Sequence, residues 1–203
     1  MRFITSLFIA PSNDTATSMI RFLGKLFAYI RQKQDEWIIV YLKSYFAKHA
    51  KQLGKDVHFN GISRITGLSA VTIEDNVHIG GGGFIKGEGG VFIGANTHIS
   101  RNLTIYSRNH NYEGEALPYD NTFRDRPVHI GKNSWIGMNV TILPGAHIGD
   151  GAIIGAGAVV FGSIPAGTIM GAAAPKQIRT RDMDHYQHLE NEGKYGGKGG
   201  VLI

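Results

Sequence analysis

The chain has no cysteine among its 203 residues. That excludes a disulfide framework, a cysteine-ligated metal and a thiolate nucleophile, and leaves the compartment open. Long apolar runs are also missing: nothing approaches the ~20 residues of a membrane-spanning helix. The opening stretch Met1 to Ala10 carries one positive charge and several apolar residues, yet it is short for a secretory signal and has no convincing cleavage site. Charged residues make up only 18%. The lysines and arginines are dispersed, not gathered in a run interleaved with stacking aromatics, which argues against nucleic acid as a partner. A net charge of +5 favours anionic partners such as phosphates, acidic saccharides or a membrane surface, without choosing among them.

What the chain does have is glycine, 28 residues of it, and isoleucine at a fixed step. Isoleucines recur six apart at Ile73, Ile79 and Ile85, at Ile93, Ile99 and Ile105, and at Ile130, Ile136, Ile142, Ile148 and Ile154. A helix repeats its buried face every ~3.6 residues and a strand every 2. A step of six therefore means a short strand and a tight turn per repeat, three of which close one coil of a parallel β-helix. Segments such as Val77-His78-Ile79-Gly80 and Val128-His129-Ile130-Gly131 place the first and third residues inward and the second outward. Phe59, Ile65 and Val160 extend the register. Steps of eight, from Ile65 to Ile73 and from Ile85 to Ile93, read as two-residue bulges in the corners. His58, His78, His98, His129 and His147 each precede an inward position, so they face outward and some stack on successive coils. This ladder is read as surface or subunit interface, with no metal expected.

Three regions leave the repeat. Residues 1–55 are assigned to a helical cap. Met19, Ile20, Leu23, Phe27 and Ile30 form one apolar stripe, and Trp37, Val40, Tyr41 and Tyr45 another after a polar break at Gln32 to Glu36, which predicts a pair of helices with Asn13, Asp14 or Thr15 as first N-cap. Their task is to cover the open first coil. The other reading is an interfacial helix on an anionic membrane. The second departure is the gap of 25 between Ile105 and Ile130 within the β-helix domain, residues 56–171. A long loop inside a regular solenoid is functional or disordered, and its three tyrosines, phenylalanine and prolines argue for order. It concentrates His110, the carboxylates Glu113, Asp120 and Asp125, and the guanidiniums of Arg108, Arg124 and Arg126. The third is residues 172–203, with a basic pair in Lys176-Gln177-Ile178-Arg179, a short helix over about 182–189 and a glycine-rich end. His185 and His188 there are read as solvated.

Val128 to Arg179, with Ser134-Trp135-Ile136-Gly137, Ile142-Leu143-Pro144-Gly145, Ile148-Gly149-Asp150-Gly151 and the closing Lys176-Gln177-Ile178-Arg179, resembles the left-handed β-helix acyltransferases of the hexapeptide-repeat superfamily. The resemblance covers about residues 57–180 and is closest to the maltose, galactoside and polysaccharide O-acetyltransferase branch. It implies a left-handed winding and a homotrimer with acetyl-CoA in a groove between neighbouring subunits. It also implies a saccharide acceptor at the same interface, and a helix resting on an anionic membrane would meet that acceptor in lipid-linked form. Carried over residue by residue, it places the catalytic histidine at His110, eight after Asn102. It puts substrate-binding residues at Tyr106, Asn111, Tyr112, Asp120 and Trp135, and cofactor-binding residues at Trp135, Gly137, Met138, Ala156, Ala158, Lys176 and Arg179. The family's Gly-Asn-Pro-Ala has become Ala172-Ala173-Ala174-Pro175 and a Thr-Lys pair has become Phe161-Gly162.

The chemistry supports His110 independently. A sugar hydroxyl is hardly ionised at neutral pH, and an imidazole, with its ordinary value near ~6.5, is suited to take the proton. Without cysteine, direct attack of the hydroxyl on a thioester is simpler than an acyl-enzyme. Backbone N–H groups or the Asn102 amide would meet the oxyanion, and Glu113 or Asp120 would hold the second imidazole nitrogen. The expected activity is acetyl-CoA-dependent O-acetyl transfer to a saccharide in surface or capsular polysaccharide biosynthesis. It is expected in the cytoplasm at the inner face of the membrane, with at most peripheral contact and no nucleic acid or metal. The same scaffold could instead serve an amino sugar, an antibiotic or serine, and a non-catalytic β-helix assembly subunit is the reading of another class.

Overall fold

The computed structural model describes residues 15–173, 177 and 179–194. Two compact units divide at Ala172 and Ala173. The first begins with one helix, α1 (Thr15–His49), and then coils. The first coil is β1 (Gln52–Leu53), β2 (His58–Asn60) and β3 (Arg64–Thr66). The second is β4 (Val71–Ile73), β5 (His78–Gly80) and β6 (Phe84–Lys86), and the third β7 (Val91–Ile93), β8 (His98–Ile99) and β9 (Thr104–Tyr106). A hairpin of β10 (Arg108–His110) and β11 (Phe123–Asp125) intervenes. The fourth coil is β12 (Val128–Ile130), β13 (Trp135–Ile136) and β14 (Thr141–Ile142), and the fifth β15 (His147–Ile148), β16 (Ile153–Ile154) and β17 (Val159–Val160). β18 (Ser163–Ile164) and β19 (Ile169–Met170) form two sides of a sixth, beyond Val160.

Each strand pairs in parallel with the one a coil away, making three flat faces: β1-β4-β7-β12-β15-β18, β2-β5-β8-β13-β16-β19 and β3-β6-β9-β14-β17. The register stacks like on like. Ile73, Ile93, Ile130 and Ile148 form one inner column, and Ile65, Ile85, Ile105, Ile142 and Val160 another. The inward isoleucines of the three faces, from Ile73 to Ile154, are almost fully buried. Each such burial is worth ~1.5–3 kcal/mol against exposure, so the columns are the source of the fold's stability.

The corners differ. From the first face to the second, and from the second to the third, every step is six. The corners hold non-glycine residues at positive φ: Asp56, Asn76, Asn96 and Asn133 at the first, Asn102 and Asn139 at the second. That conformation costs a non-glycine residue ~1–2 kcal/mol. Asparagine offsets the cost by hydrogen-bonding its neighbour one coil on: Asn76 Nδ2 donates to Asn96 Oδ1, Asn96 to Asn133 and Asn102 to Asn139, each at 3.0 Å. From the third face to the first, the steps run eight, eight, twenty-five, six and four (Ile65 to Ile73, Ile85 to Ile93, Ile105 to Ile130, Ile142 to Ile148, Val160 to Ile164). The first of the eight-residue steps contains a 3-10 turn over Leu68–Ala70.

The predicted pair of helices is one continuous α1. The polar stretch between its apolar stripes does not break it, because Gln32 and Lys33 reach Glu36 at 3.3 and 2.7 Å, pairs three and four apart that bridge one helical turn to the next. Only its last turns cap the first coil. Phe46 is buried with its ring 5.0 Å from that of Phe59, and Ile39 and Leu42 pack on the same core. The residues of the predicted stripes are exposed, so they do not form the cap. Of the candidate N-caps, Asn13 and Asp14 lie outside the described residues.

In the second unit, α2 (Met183–Asn191) is N-capped by Asp182, whose carboxylate accepts the His185 N–H at 2.9 Å. His185 and His188 are exposed, and His188 Nε2 lies 3.5 Å from Glu192.

Candidate active site

The long loop leaves the coil at Ser107 and returns beside it. Ser107 is fully buried: its hydroxyl donates to the Lys86 carbonyl at 2.7 Å and accepts the Gly89 N–H at 3.0 Å. Arg126 N–H donates to the Ser107 carbonyl at 2.8 Å, and the Arg126 carbonyl accepts from Gly145 of the next coil at 3.1 Å. A Cβ at Gly89 would lie 2.0 Å from the Ser107 carbonyl oxygen, so glycine there permits the close approach. Both roots are thereby fixed to the rigid solenoid.

Between the roots the chain forms an antiparallel ribbon, with Arg108 opposite Asp125, Asn109 opposite Arg124 and His110 opposite Phe123. Arg108 clasps Asp125 with two N–H groups, Nε at 2.6 Å and Nη2 at 2.7 Å. This fork holds the Asp125 carboxyl below its usual range and raises the guanidinium. At the tip, Asp120 accepts from the Thr122 hydroxyl at 2.5 Å, the Thr122 N–H at 2.9 Å and the Glu115 N–H at 3.1 Å. The Thr122 hydroxyl, first among these, lowers its carboxyl from the ordinary value. Arg124 pairs with Glu113, donates through Nε to Asn111 Oδ1 at 2.8 Å, and lies 5.1 Å from the Tyr112 ring centre.

His110 is held by ring contacts. Its imidazole stacks on Tyr119 with centroids 3.9 Å apart and planes 21° from parallel, and lies 5.0 Å from Phe123. Nδ1 is buried without a hydrogen-bond partner, leaving Nε2 as the nitrogen available to a ligand. The two carboxylates expected to hold Nδ1 do other work: Glu113 is taken by Arg124 and Asp120 by the loop tip. That expectation is therefore corrected. Orientation comes from stacking, because both carboxylates are already bound where they order the loop.

The ribbon leans over the corners of the two later coils and encloses a cavity of about 290 Å³, lined by Asn109, His110, Tyr112, Arg124, Arg126, Leu143, Pro144 and Phe161. Leu143, Pro144 and Phe161 were not among the expected site residues. They sit one or two positions past an inward residue at the variable corner, the sole hint the repeat contains. The other expected residues fall elsewhere. Tyr106 lies on the third face with its ring tilted against Phe84 at 5.7 Å. Trp135, 57% exposed, stands on the second face directly above His98. Gly137, Met138 and Ala156 follow at the corner of that face, Met138 half exposed and Ala156 exposed. Ala158 is buried, with its N–H directed to Gly155 and its carbonyl to Thr141, so neither backbone group is free for a cofactor. Asn102 sits in the corner ladder, its amide donating to Asn139. Arg179 is exposed in the second unit, and Lys176 lies outside the described residues.

The outward histidines stack as their register predicts. His58 and His78 lie 4.6 Å apart and His78 and His98 4.4 Å apart. Desolvation, then His98 and His58, push the His78 imidazole below its ordinary value of 6.5. His129, edge-on to Phe92 at 4.4 Å and His147 at 4.6 Å, is lowered too, by burial first.

A parallel solenoid of six-residue repeats with a ring-clamped histidine in an inserted loop defines a hexapeptide-repeat β-helix with an enzyme-like cleft. Residues 127–162 match the profile described as bacterial transferase hexapeptide (six repeats), and residues 70–107 the hexapeptide repeat of succinyl-transferase. These matches support the hexapeptide-repeat acyltransferase superfamily for this chain, and its β-helix is left-handed. It is 33% identical over 121 residues to Escherichia coli WbbJ, whose name assigns it provisionally to lipopolysaccharide biosynthesis as an O-acetyl transferase. The match covers 56% of this chain and 62% of WbbJ. Among solved structures it resembles a maltose O-acetyltransferase from Clostridium difficile (27% identity, TM-score 0.59, 64% of this chain and 69% of that one). It also resembles a galactoside acetyltransferase in complex with coenzyme A (28% identity, TM-score 0.53, 70% and 72%).

Proposed function

We propose that the protein is an acetyl-CoA-dependent O-acetyltransferase whose acceptor is a saccharide hydroxyl, with His110 as general base. The observation that carries the reading is the cavity at the variable corner, where a ring-clamped imidazole with one nitrogen available meets two guanidiniums and an apolar wall. The names of its relatives, O-acetyltransferases of lipopolysaccharide and maltose and a coenzyme A-bound galactoside enzyme, support the donor and acceptor classes.

In the reaction, His110 Nε2 takes the proton of the acceptor hydroxyl as its oxygen attacks the thioester carbonyl. The tetrahedral oxyanion forms and collapses, and the sulfur leaves as a thiol after receiving that proton from the imidazolium. Arg126 gives the cavity a positive group suited to an acceptor bearing acidic groups, while the Arg124 charge is balanced by Glu113. Trp135, Gly137, Met138 and Ala156 lie away from His110 on the same chain. They join its site only if a neighbouring subunit presents them, which favours a trimer with the donor bound between copies. A soluble or membrane-peripheral protein in the cytoplasm fits this reading, and among the described residues no helix is long and apolar enough to cross a membrane.

The test is thiol release from acetyl-CoA in the presence of neutral and acidic hydroxyl-bearing sugars, with amino sugars in parallel. His110→Ala should lower turnover by about 10²–10⁴-fold and leave coenzyme A binding, read by calorimetry, intact. No release from the parent protein with any acceptor, together with no binding of coenzyme A, would leave a β-helix scaffold as the better reading.

A further inference from the structure

The face of α1 that caps the coil is not the face that is apolar along its length. At ~100° per residue, Ile39, Leu42 and Phe46, which pack on the β-helix, lie on one side. Phe22, Leu26, Ile30, Trp37 and Tyr41 lie on the opposite side and, with Phe27 on the flank, belong to an apolar arc about half the circumference wide. All six are exposed, Phe27 by 69% and Trp37 by 71%. Contiguous apolar surface on this scale marks an interaction site. The helix carries six basic residues (Arg21, Lys25, Arg31, Lys33, Lys43 and Lys48) against Asp35 and Glu36, so 6 − 2 leaves four excess positive charges.

We infer that this arc docks α1 flat on the surface of a bilayer containing anionic lipid. A wide apolar arc with a tryptophan and tyrosines at its surface, with Arg21, Lys25, Arg31 and Lys43 outside it and Lys33 and Lys48 long enough to reach the headgroups from within it, is the pattern of a helix lying in the headgroup boundary. The basic excess complements anionic headgroups. Thirty-five residues make a helix about 50 Å long, but it is too polar to span, so it lies on the surface. A second copy of the helix fits the arc poorly. A coiled-coil seam is a narrow stripe at alternate steps of three and four, and along Leu26, Ile30, Lys33 and Trp37 that stripe contains a lysine.

The experiment is flotation of the full chain with vesicles of phosphatidylcholine alone or of phosphatidylcholine mixed with phosphatidylglycerol, beside lipid-free sedimentation. The protein should float with the anionic vesicles, less so at raised salt. The double variant F27E/W37E should bind at least about tenfold more weakly, a loss of ~1.4 kcal/mol, with an unchanged circular dichroism spectrum and melting temperature, since neither side chain touches the core. Flotation that the double variant leaves unchanged, or none with anionic vesicles, overturns the proposal. So does a drop of the lipid-free double variant to a smaller assembly, which would show that the arc covers a second copy.

Discussion

Two kinds of corner in one solenoid behave in opposite ways. The corners into the second and third faces keep a strict step of six and hold asparagines at positive φ, each bonded to an asparagine one coil away. The corner into the first face varies from four to twenty-five residues and contains the hairpin, the cavity and both roots of the loop. A repeat protein needs regularity only where each coil templates the next. If the other corners hold the stack in register, one edge is free to grow, and chemistry can be placed there at little cost to the fold.

Removing the growth is the strongest way to break this comparison. Replacing residues 108–125 by a short Asn-Gly link should leave the β-sheet circular dichroism spectrum and cooperative melting in place. Thiol release from acetyl-CoA should fall by at least about 10²-fold, in line with loss of the proposed base His110. A protein that no longer folds would show that the variable corner also supports the coils. On the regular side, Ile136→Ala removes a fully buried side chain from the middle of an inner column. It should cost ~2–5 kcal/mol in urea unfolding, whereas Leu143→Ala in the cavity wall should cost less and act on turnover.

A finer test contrasts two substitutions at Asn133. Alanine keeps the positive φ penalty and loses the bond from Asn96, an expected cost of ~1 kcal/mol. Glycine loses the same bond but sheds the penalty and should cost less, so equal effects would contradict the cost assigned to the backbone at this corner. The smallest effect concerns pH. The imidazoles of His78 and His129 are lowered from 6.5, so below about that pH the unfolded chain binds more protons than the folded one. Stability present above pH 6.5 should therefore decline as the pH falls. His78→Gln should flatten that part of the stability profile, measured by unfolding between pH 7 and 5.

The coils were legible because the inward isoleucines carry their own period, and the stacked histidines followed from the residue before each of them. The loop was legible as an interruption and His110 as its imidazole. The ribbon inside it was not, since Arg108, Asp125, Arg124 and Glu113 reveal their pairing only once the strands face each other. Nor was the single helix. The polar stretch from Gln32 to Glu36 looks like a break until its side chains bridge one turn.

By itself, then, the sequence determined the repeat, the core and the place where the repeat is interrupted, because burial of one side chain per six residues is a local pattern that recurs whatever lies above or below. Which side chains meet was decided by the tertiary structure. Glu113 and Asp120 were drawn to Arg124 and to the loop tip, and Tyr119 and Phe123 took their place beside His110. Asn102 became a link in a corner ladder, and α1 turned its broad apolar arc away from the coil. Those outcomes depend on competition among partners many residues apart, and geometry settles that competition only after the coils have stacked.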